Sequence, residues 1–224
     1  MTYLHASQVV VGALALALCV SCATKRPVQS GFLEGYPEFD EAPDGSGALV
    51  YRRAGLDLGA YDKVMIDPVV IWYSPDSDYR GIHPDELKTL ADDFRAAVVA
   101  ALADAYPVVE APGPGVLRIR AALTDVVATK PALNMATTVV PVGRWASLAT
   151  RATTGTHLFV GQAVMEAEFL DAQTHERLAA YIDRRVGTKL KVHTGVTTWG
   201  HVHEAFRHWA EKLRKRMDEA HGVS

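Results

Sequence analysis

The stretch "GHVHEAFRH" near the carboxyl terminus holds the residue types that bind metal ions. His201, Glu204 and His208 stand at positions i, i+3 and i+7, so they share one face of a helix. Imidazole and carboxylate ligands suit zinc, and an open coordination position would activate water for hydrolysis. In zinc proteases, however, the histidines around the glutamate are four residues apart. Here His203 and His208 are five apart. The set is a weak metal candidate, because the face is polar and flanks the apolar stripe, so simple solvation explains it.

No other motif of the sequence indicates a reaction. The stretches "GSG" and "GPG" lack the Lys and Ser or Thr of a phosphate-binding loop, and no Gly-x-Ser-x-Gly nucleophile turn occurs. The formal net charge of −3 provides no basic field for nucleic acid. We therefore predict a non-enzymatic protein without a cofactor and without a nucleic-acid partner.

The amino terminus contains chemistry of another kind. An apolar run over residues 9–20 is shorter than the ~20 residues of a bilayer span and fits the core of a secretory signal peptide. Ser21 before Cys22 resembles the lipobox of bacterial lipoproteins, whose peptidase cuts before a cysteine that carries lipid. We predict a signal peptide over residues 1–21, cleavage between Ser21 and Cys22, and lipidation of Cys22 with palmitate among the acyl chains.

The location and the domain organisation follow from this site. Ala23 rather than Asp follows the cysteine, which by resemblance to the enterobacterial sorting rule favours the outer membrane of a Gram-negative bacterium, with the domain in the periplasm. Residues 22–59, rich in Pro, Gly, Asp and Glu, are expected to form a lipidated tether and an N-terminal loop segment. From Ala23 to Ser30 the tether spans at most ~28 Å at ~3.5 Å per residue. Residues 60–224 are expected to form a single α+β domain.

Hydrophobic periodicity predicts the order strand, helix, strand, strand, strand, helix. The first strand, within residues 61–72, contains Pro68, which marks a sheet edge or a bulge. The helices are predicted from Pro84 or Asp85 to about residue 105 and over residues 198–220. A mostly antiparallel sheet of four to five strands, with both amphipathic helices on one face, accounts for this order.

Polar residues that alternate with apolar ones predict the open, solvated face of the sheet. The outward residues are expected to be Arg118, Arg120, Glu166, Glu168, Asp183 and Arg185, with Leu178, Ala180 and Ile182 turned towards the helices. We treat Arg118, Arg120, Glu166 and Glu168, together with Trp145, as candidate contacts for a partner. Trp145 lies in residues 128–158, which either form a flap that meets a partner or the membrane, or pack as ordinary core.

Six stretches resemble, in this order, an uncharacterised family of proteobacterial lipoproteins, the domain-of-unknown-function family numbered thirty-three thirteen. They are "SGFLEGY", "YDKVMIDPVVIW", "GIHPDELKTLADDFRAAVVAAL", "GPGVLRIRAALTDV", "AEFLDAQTHERLAA" and "TTWGHVHEAFRHWAEKLR". The resemblance covers nearly the whole mature chain and implies a lipoprotein with no established activity. The chain departs from it at His175, where the related sequences tend to have glycine, the residue that a turn with positive φ favours.

Three functional hypotheses remain at this stage. The first is a lipid-anchored envelope lipoprotein that acts by non-enzymatic contact with a partner protein or the cell wall. The second is a metal-dependent hydrolase that uses His201, Glu204 and His208. The third is an oligomer-forming accessory component of an envelope export or assembly system, which would associate through the sheet edge near Pro68 or through residues 128–158.

Overall fold

The computed structural model describes residues 29–73, 82–127, 162–186 and 198–223. These residues contain one seven-stranded sheet, two α-helices and a short 3₁₀ helix at Leu58–Ala60. The strands are β1 (Asp40–Glu41), β2 (Leu49–Arg52), β3 (Lys63–Ile66), β4 (Val70–Ile71), β5 (Val116–Val127), β6 (Gln162–Asp171) and β7 (Arg177–Val186). The helices are α1 (Pro84–Leu102) and α2 (Gly200–Ala220).

The α+β class is confirmed, but the sheet is larger than predicted and is not antiparallel throughout. Its order is β1-β2-β7-β6-β5-β3, and β4 also pairs with β5. Strands β3 and β4 run parallel to β5, because α1 forms the crossover that a parallel strand pair requires. The other pairs are antiparallel. The additional strands β1 and β2 come from the N-terminal segment that we predicted to be loop.

Pro68 divides the first predicted strand into β3 and β4. Its missing N–H interrupts the ladder, which resumes where Trp72 N–H donates to the carbonyl of Leu123 at 2.9 Å. Both short strands lie on the free side of β5, so the edge predicted at Pro68 is confirmed. Between α1 and β5 the chain forms an isolated parallel bridge, in which Val108 pairs with Val64.

Both helices cover the same face of the sheet, as predicted, and we call it the helix face. Helix α1 begins at Pro84, where the His83 side chain accepts the N–H of Asp85 at 3.3 Å. The helices pack on each other through Phe94 and Phe206, whose rings stack at a centroid distance of 4.9 Å. Their buried side chains form one hydrophobic core with the helix-face residues of β5 and β6.

The assignment of faces in β7 was wrong for Ala180, Ile182 and Asp183, whereas Leu178 lies in the core with the helices as predicted. Ile182 pairs with Glu166 and Ala180 with Glu168, so these apolar residues share the face of the glutamates rather than the helix face. Asp183 lies on the helix face, where its carboxylate accepts the indole N–H of Trp209 at 2.8 Å. A register shift occurs between Phe169 and Leu170. It reverses which residues of β7 point towards the helices, compared with the strict alternation predicted from the sequence.

The turn between β6 and β7 holds His175 at a φ of 60°, in the left-handed region. Of the residues that the structure describes, it is the one non-glycine residue with positive φ. The Asp171 carboxylate fixes the turn by accepting the N–H groups of Gln173 and Thr174 at 2.9 and 2.8 Å. A left-handed conformation costs an ordinary residue roughly 1–2 kcal/mol.

We predict that His175→Gly raises the free energy of unfolding by about 1 kcal/mol, because glycine adopts this φ without a Cβ clash. Urea denaturation of both proteins measures the difference. Gln173→Gly is the matched control in the same turn. It removes a side chain where φ is not positive, so it should lower the stability. If both substitutions lower it, the turn is not strained at His175.

Candidate functional site

Two glutamates lie side by side on the sheet face that points away from the helices. Glu166 and Glu168 are two residues apart on β6, and their exposed fractions are 0% and 2%. This corrects the prediction of an open, solvated face and removes both residues as surface contacts for a partner. Burying a carboxylate costs several kcal/mol unless charges and hydrogen bonds compensate it.

Arginines on both neighbouring strands compensate Glu168. Arg120 stands directly opposite on β5 and forms an ion pair with its Oε1 atom. Arg177 donates from Nε to its Oε2 atom at 2.9 Å. Arg118 is engaged as well, because it donates two hydrogen bonds to Asp67, at 3.0 and 2.8 Å. The predicted contact residues Arg118 and Arg120 are therefore partly exposed members of an ion-pair network.

The neighbouring strands offer Glu166 no cation or side-chain donor directly opposite, because its cross-strand neighbours are Ala122 and Ile182. Its partners come from residues 29–36, which we call the N-terminal strap. The N–H of Ser30 donates to Oε1 at 2.6 Å, and the hydroxyl of Tyr36 donates to Oε2 at 2.7 Å. Burial, together with the hydrogen bond to Glu166, raises the pKa of Tyr36 above its ordinary value of 10.0.

Further bonds hold the strap across the sheet. The guanidinium of Arg177 donates to the carbonyls of Gly35 and Glu34, both at 2.7 Å, while it also binds Glu168. The indole N–H of Trp72 donates to the carbonyl of Ser30 at 3.3 Å. The strap is therefore a built-in part of the outer layer of the domain.

The predicted metal residues are not arranged as a site. His201 is buried rather than solvated, and its Nδ1 atom lies 3.7 Å from Glu204 Oε2. Burial and the nearby Arg185 lower the pKa of His208. No three His, Cys, Asp or Glu residues of the described ranges are grouped closely enough to hold a metal ion. Ser21, Cys22, Trp145 and residues 128–158 lie outside the described residues.

Sequence reasoning missed a cavity of about 640 Å³ between the helix face of the sheet and the two helices. Ala121 and Ala167 face each other across β5 and β6 and form its floor, and Phe94 and Trp209 contribute to its roof. The space is half-open rather than enclosed, so solvent or a ligand can enter it. The one signal of this cavity in the sequence is the pair of small residues Ala121 and Ala167 at facing positions of two strands.

Neither α-helix in the described part of the chain has the length and hydropathy that a bilayer span requires. The family model "Protein of unknown function (DUF3313)" matches residues 28–213. The "Uncharacterized lipoprotein YdcL" of Escherichia coli strain K12 is 27% identical over 181 residues, which cover 80% of each chain. The protein of the same name from Escherichia coli O157:H7 matches equally. A PelC dodecamer structure from Paraburkholderia phytofirmans has a TM-score of 0.41 and 12% identity, covering 75% of this chain and 97% of that chain.

We predict that Tyr36→Phe lowers the free energy of unfolding by about 2 kcal/mol, because it removes a hydrogen bond to a buried carboxylate. The amide of Ser30 should also exchange its hydrogen faster, since the strap is held less firmly. Urea denaturation and hydrogen exchange measure the two effects.

Tyr51→Phe is the matched control, because the hydroxyl of this half-buried tyrosine forms no hydrogen bond with the residues that the structure describes. It should change the stability by less than ~0.5 kcal/mol. Equal effects of the two substitutions would show that the Glu166 contact does not hold the strap.

Proposed function

We propose that this chain, which belongs to the DUF3313 family of proteins of unknown function, is a lipid-anchored lipoprotein of the Gram-negative cell envelope that acts by non-enzymatic contact. The name of its Escherichia coli relatives supports a lipoprotein and a location in the envelope. The residue that carries the lipid is Cys22, preceded by a signal peptide over residues 1–21. Ala23 favours the outer membrane, with the domain on the periplasmic side.

The observation that carries the proposal is the attachment of the N-terminal strap to Glu166. Ser30, 5% exposed, donates its N–H to a carboxylate at 0% exposure, so the strap is held at a buried point eight residues after Cys22. The eight residues from Ala23 to Ser30 reach ~28 Å at most. A lipidated Cys22 would thus hold the outer face of the sheet close to its leaflet.

The surroundings of Ser30 support this orientation. Trp72, which bonds to the carbonyl of Ser30, is 45% exposed, and Phe32 packs edge-on against it at a centroid distance of 6.2 Å. Tryptophan is enriched at membrane–water interfaces, where its ring meets the headgroups and its N–H finds a polar partner. The exposed aromatic side chain therefore stands where the tether would meet the membrane.

We predict that Cys22→Ala abolishes lipidation and releases the protein from the membrane fraction, since alanine has no thiol through which a lipid could be attached. Cell fractionation and the intact mass of the native protein measure the two effects. Cys19→Ala is the matched control and should leave both lipidation and membrane attachment unchanged. If Cys22→Ala partitions with membranes like the wild type, the anchor proposal fails.

Cross-linking in living cells tests whether the protein acts by contact with a partner. A photoreactive residue at the exposed Glu34 of the strap, whose backbone carbonyl accepts from Arg177, should capture a defined protein or peptidoglycan. The same residue at Ala96, exposed on α1, is the control and should not. Capture should disappear in the Cys22→Ala background, because contact requires the anchored position. If the two positions give the same products, the strap side is not the contact surface.

A further inference from the structure

We propose that the cavity between the helix face and the two helices binds one aliphatic chain of an anionic single-chain amphiphile, that is, a long-chain fatty acid with its carboxylate at Arg52. This ligand site goes beyond the proposed function, because it lies on the opposite side of the sheet from the strap. It requires no lipid on Cys22.

The interior of the cavity is chemically suited to an alkyl chain. Its floor and walls are formed by buried apolar side chains of β5, β6 and both helices, namely Leu117, Ile119, Met165, Phe94, Val98 and Trp209. Its volume of about 640 Å³ falls within the ~300–1,000 Å³ of ligand pockets. Ordered water needs two to four polar partners, which these apolar side chains do not provide. An apolar guest is therefore the better occupant.

The cavity extends towards β2, on the β1 side of the sheet. Val50 pairs with Tyr181 and Arg52 with Ala179, which puts these β2 residues on the helix face and in the cavity lining. The exposed Arg52 therefore stands at the mouth, while Phe94 and Ala121 stand deeper between α1 and β5. An alkyl chain that enters at β2 would run along the sheet and keep its headgroup at the rim.

The charges at the mouth select the headgroup. Three of the four basic residues in the lining pair with acidic residues of this chain: Lys212 with Asp44, Arg216 with Glu219, and Arg53 with Glu176. Arg52 forms no ion pair with any residue of the described ranges. Its guanidinium offers a carboxylate the planar fork of donors that such a headgroup fits.

The test uses the full lipoprotein reconstituted in phosphatidylcholine vesicles and a palmitate probe with a diazirine in the middle of its chain. After irradiation, peptide mass spectrometry locates the adducts. We expect adducts on the cavity floor, in peptides from β5 and β6, and at least a ten-fold loss of them with excess palmitate. Adducts confined to the strap side around Trp72 would reflect the bilayer alone and would overturn the proposal.

Two kinds of variant sharpen the result. Ala121→Phe and Ala167→Phe place a ring in the cavity and should reduce the adducts at least ten-fold, with an unchanged or higher melting temperature. Ala100→Phe, exposed on α1, is the control and should retain them. Arg52→Glu leaves the interior intact, so it should reduce capture of the palmitate probe about ten-fold but not capture of the matching hexadecanol probe. Undiminished palmitate capture by Arg52→Glu and by both filled variants would overturn the site.

This experiment distinguishes a failure of the lipid-anchor proposal from a failure of the cavity proposal. A Cys22→Ala protein that still captures the probe supports the cavity whatever its partition with membranes. Wild-type protein that is lipidated and membrane-bound but never labelled on the cavity floor overturns the cavity and leaves the anchor in place.

Discussion

A carboxylate without any contact with water governs the outer layer of this structure. The strands beside Glu166 present Ala122 and Ile182, which have no side-chain donor for it. An uncompensated buried charge costs several kcal/mol, a large part of the stability of a domain. The fold therefore requires donors from elsewhere, and Tyr36 supplies one across 130 residues of sequence. For this reason the N-terminal strap belongs to the domain and is not a free linker, and the route of the chain towards Cys22 begins at a fixed point.

Period-two alternation predicted much of the sheet. It placed Arg118, Arg120, Glu166 and Glu168 on one face correctly, because β5 and β6 are regular over most of their length. It failed in β7, where a register shift of one residue exchanges the two faces. The sequence holds no clear sign of that shift, since the turn residues before it are compatible with more than one register. The parallel pairing of β3 and β5, in contrast, was predictable, because a helix that connects two neighbouring strands allows them to run parallel.

The same alternation led to a wrong prediction of solvent exposure for the polar face of the sheet. A strand pattern separates two faces, but it does not state which of them meets water. Arg120 and Glu168 were predicted on one face and do pair there, yet Glu168 is buried because the strap covers it. The strap itself, rich in glycine and charge, has the composition of a loop, and its role depends on contacts distant in sequence. The cavity was equally invisible, since Ala121 and Ala167 match an apolar pattern as well as larger residues do.

The two layers depend on each other through β6. Large cavities normally shrink as their walls relax inwards. Here Ala167 lies between Glu166 and Glu168, whose bonds to the strap and to Arg120 and Arg177 brace the strand from behind. On the other side, the bond of Trp209 to Asp183 and the stacked rings of Phe94 and Phe206 fix the helix layer. Floor and roof are thus held by directional contacts outside the cavity, and these contacts fix the spacing between the sheet and the helices on either side of the apolar space.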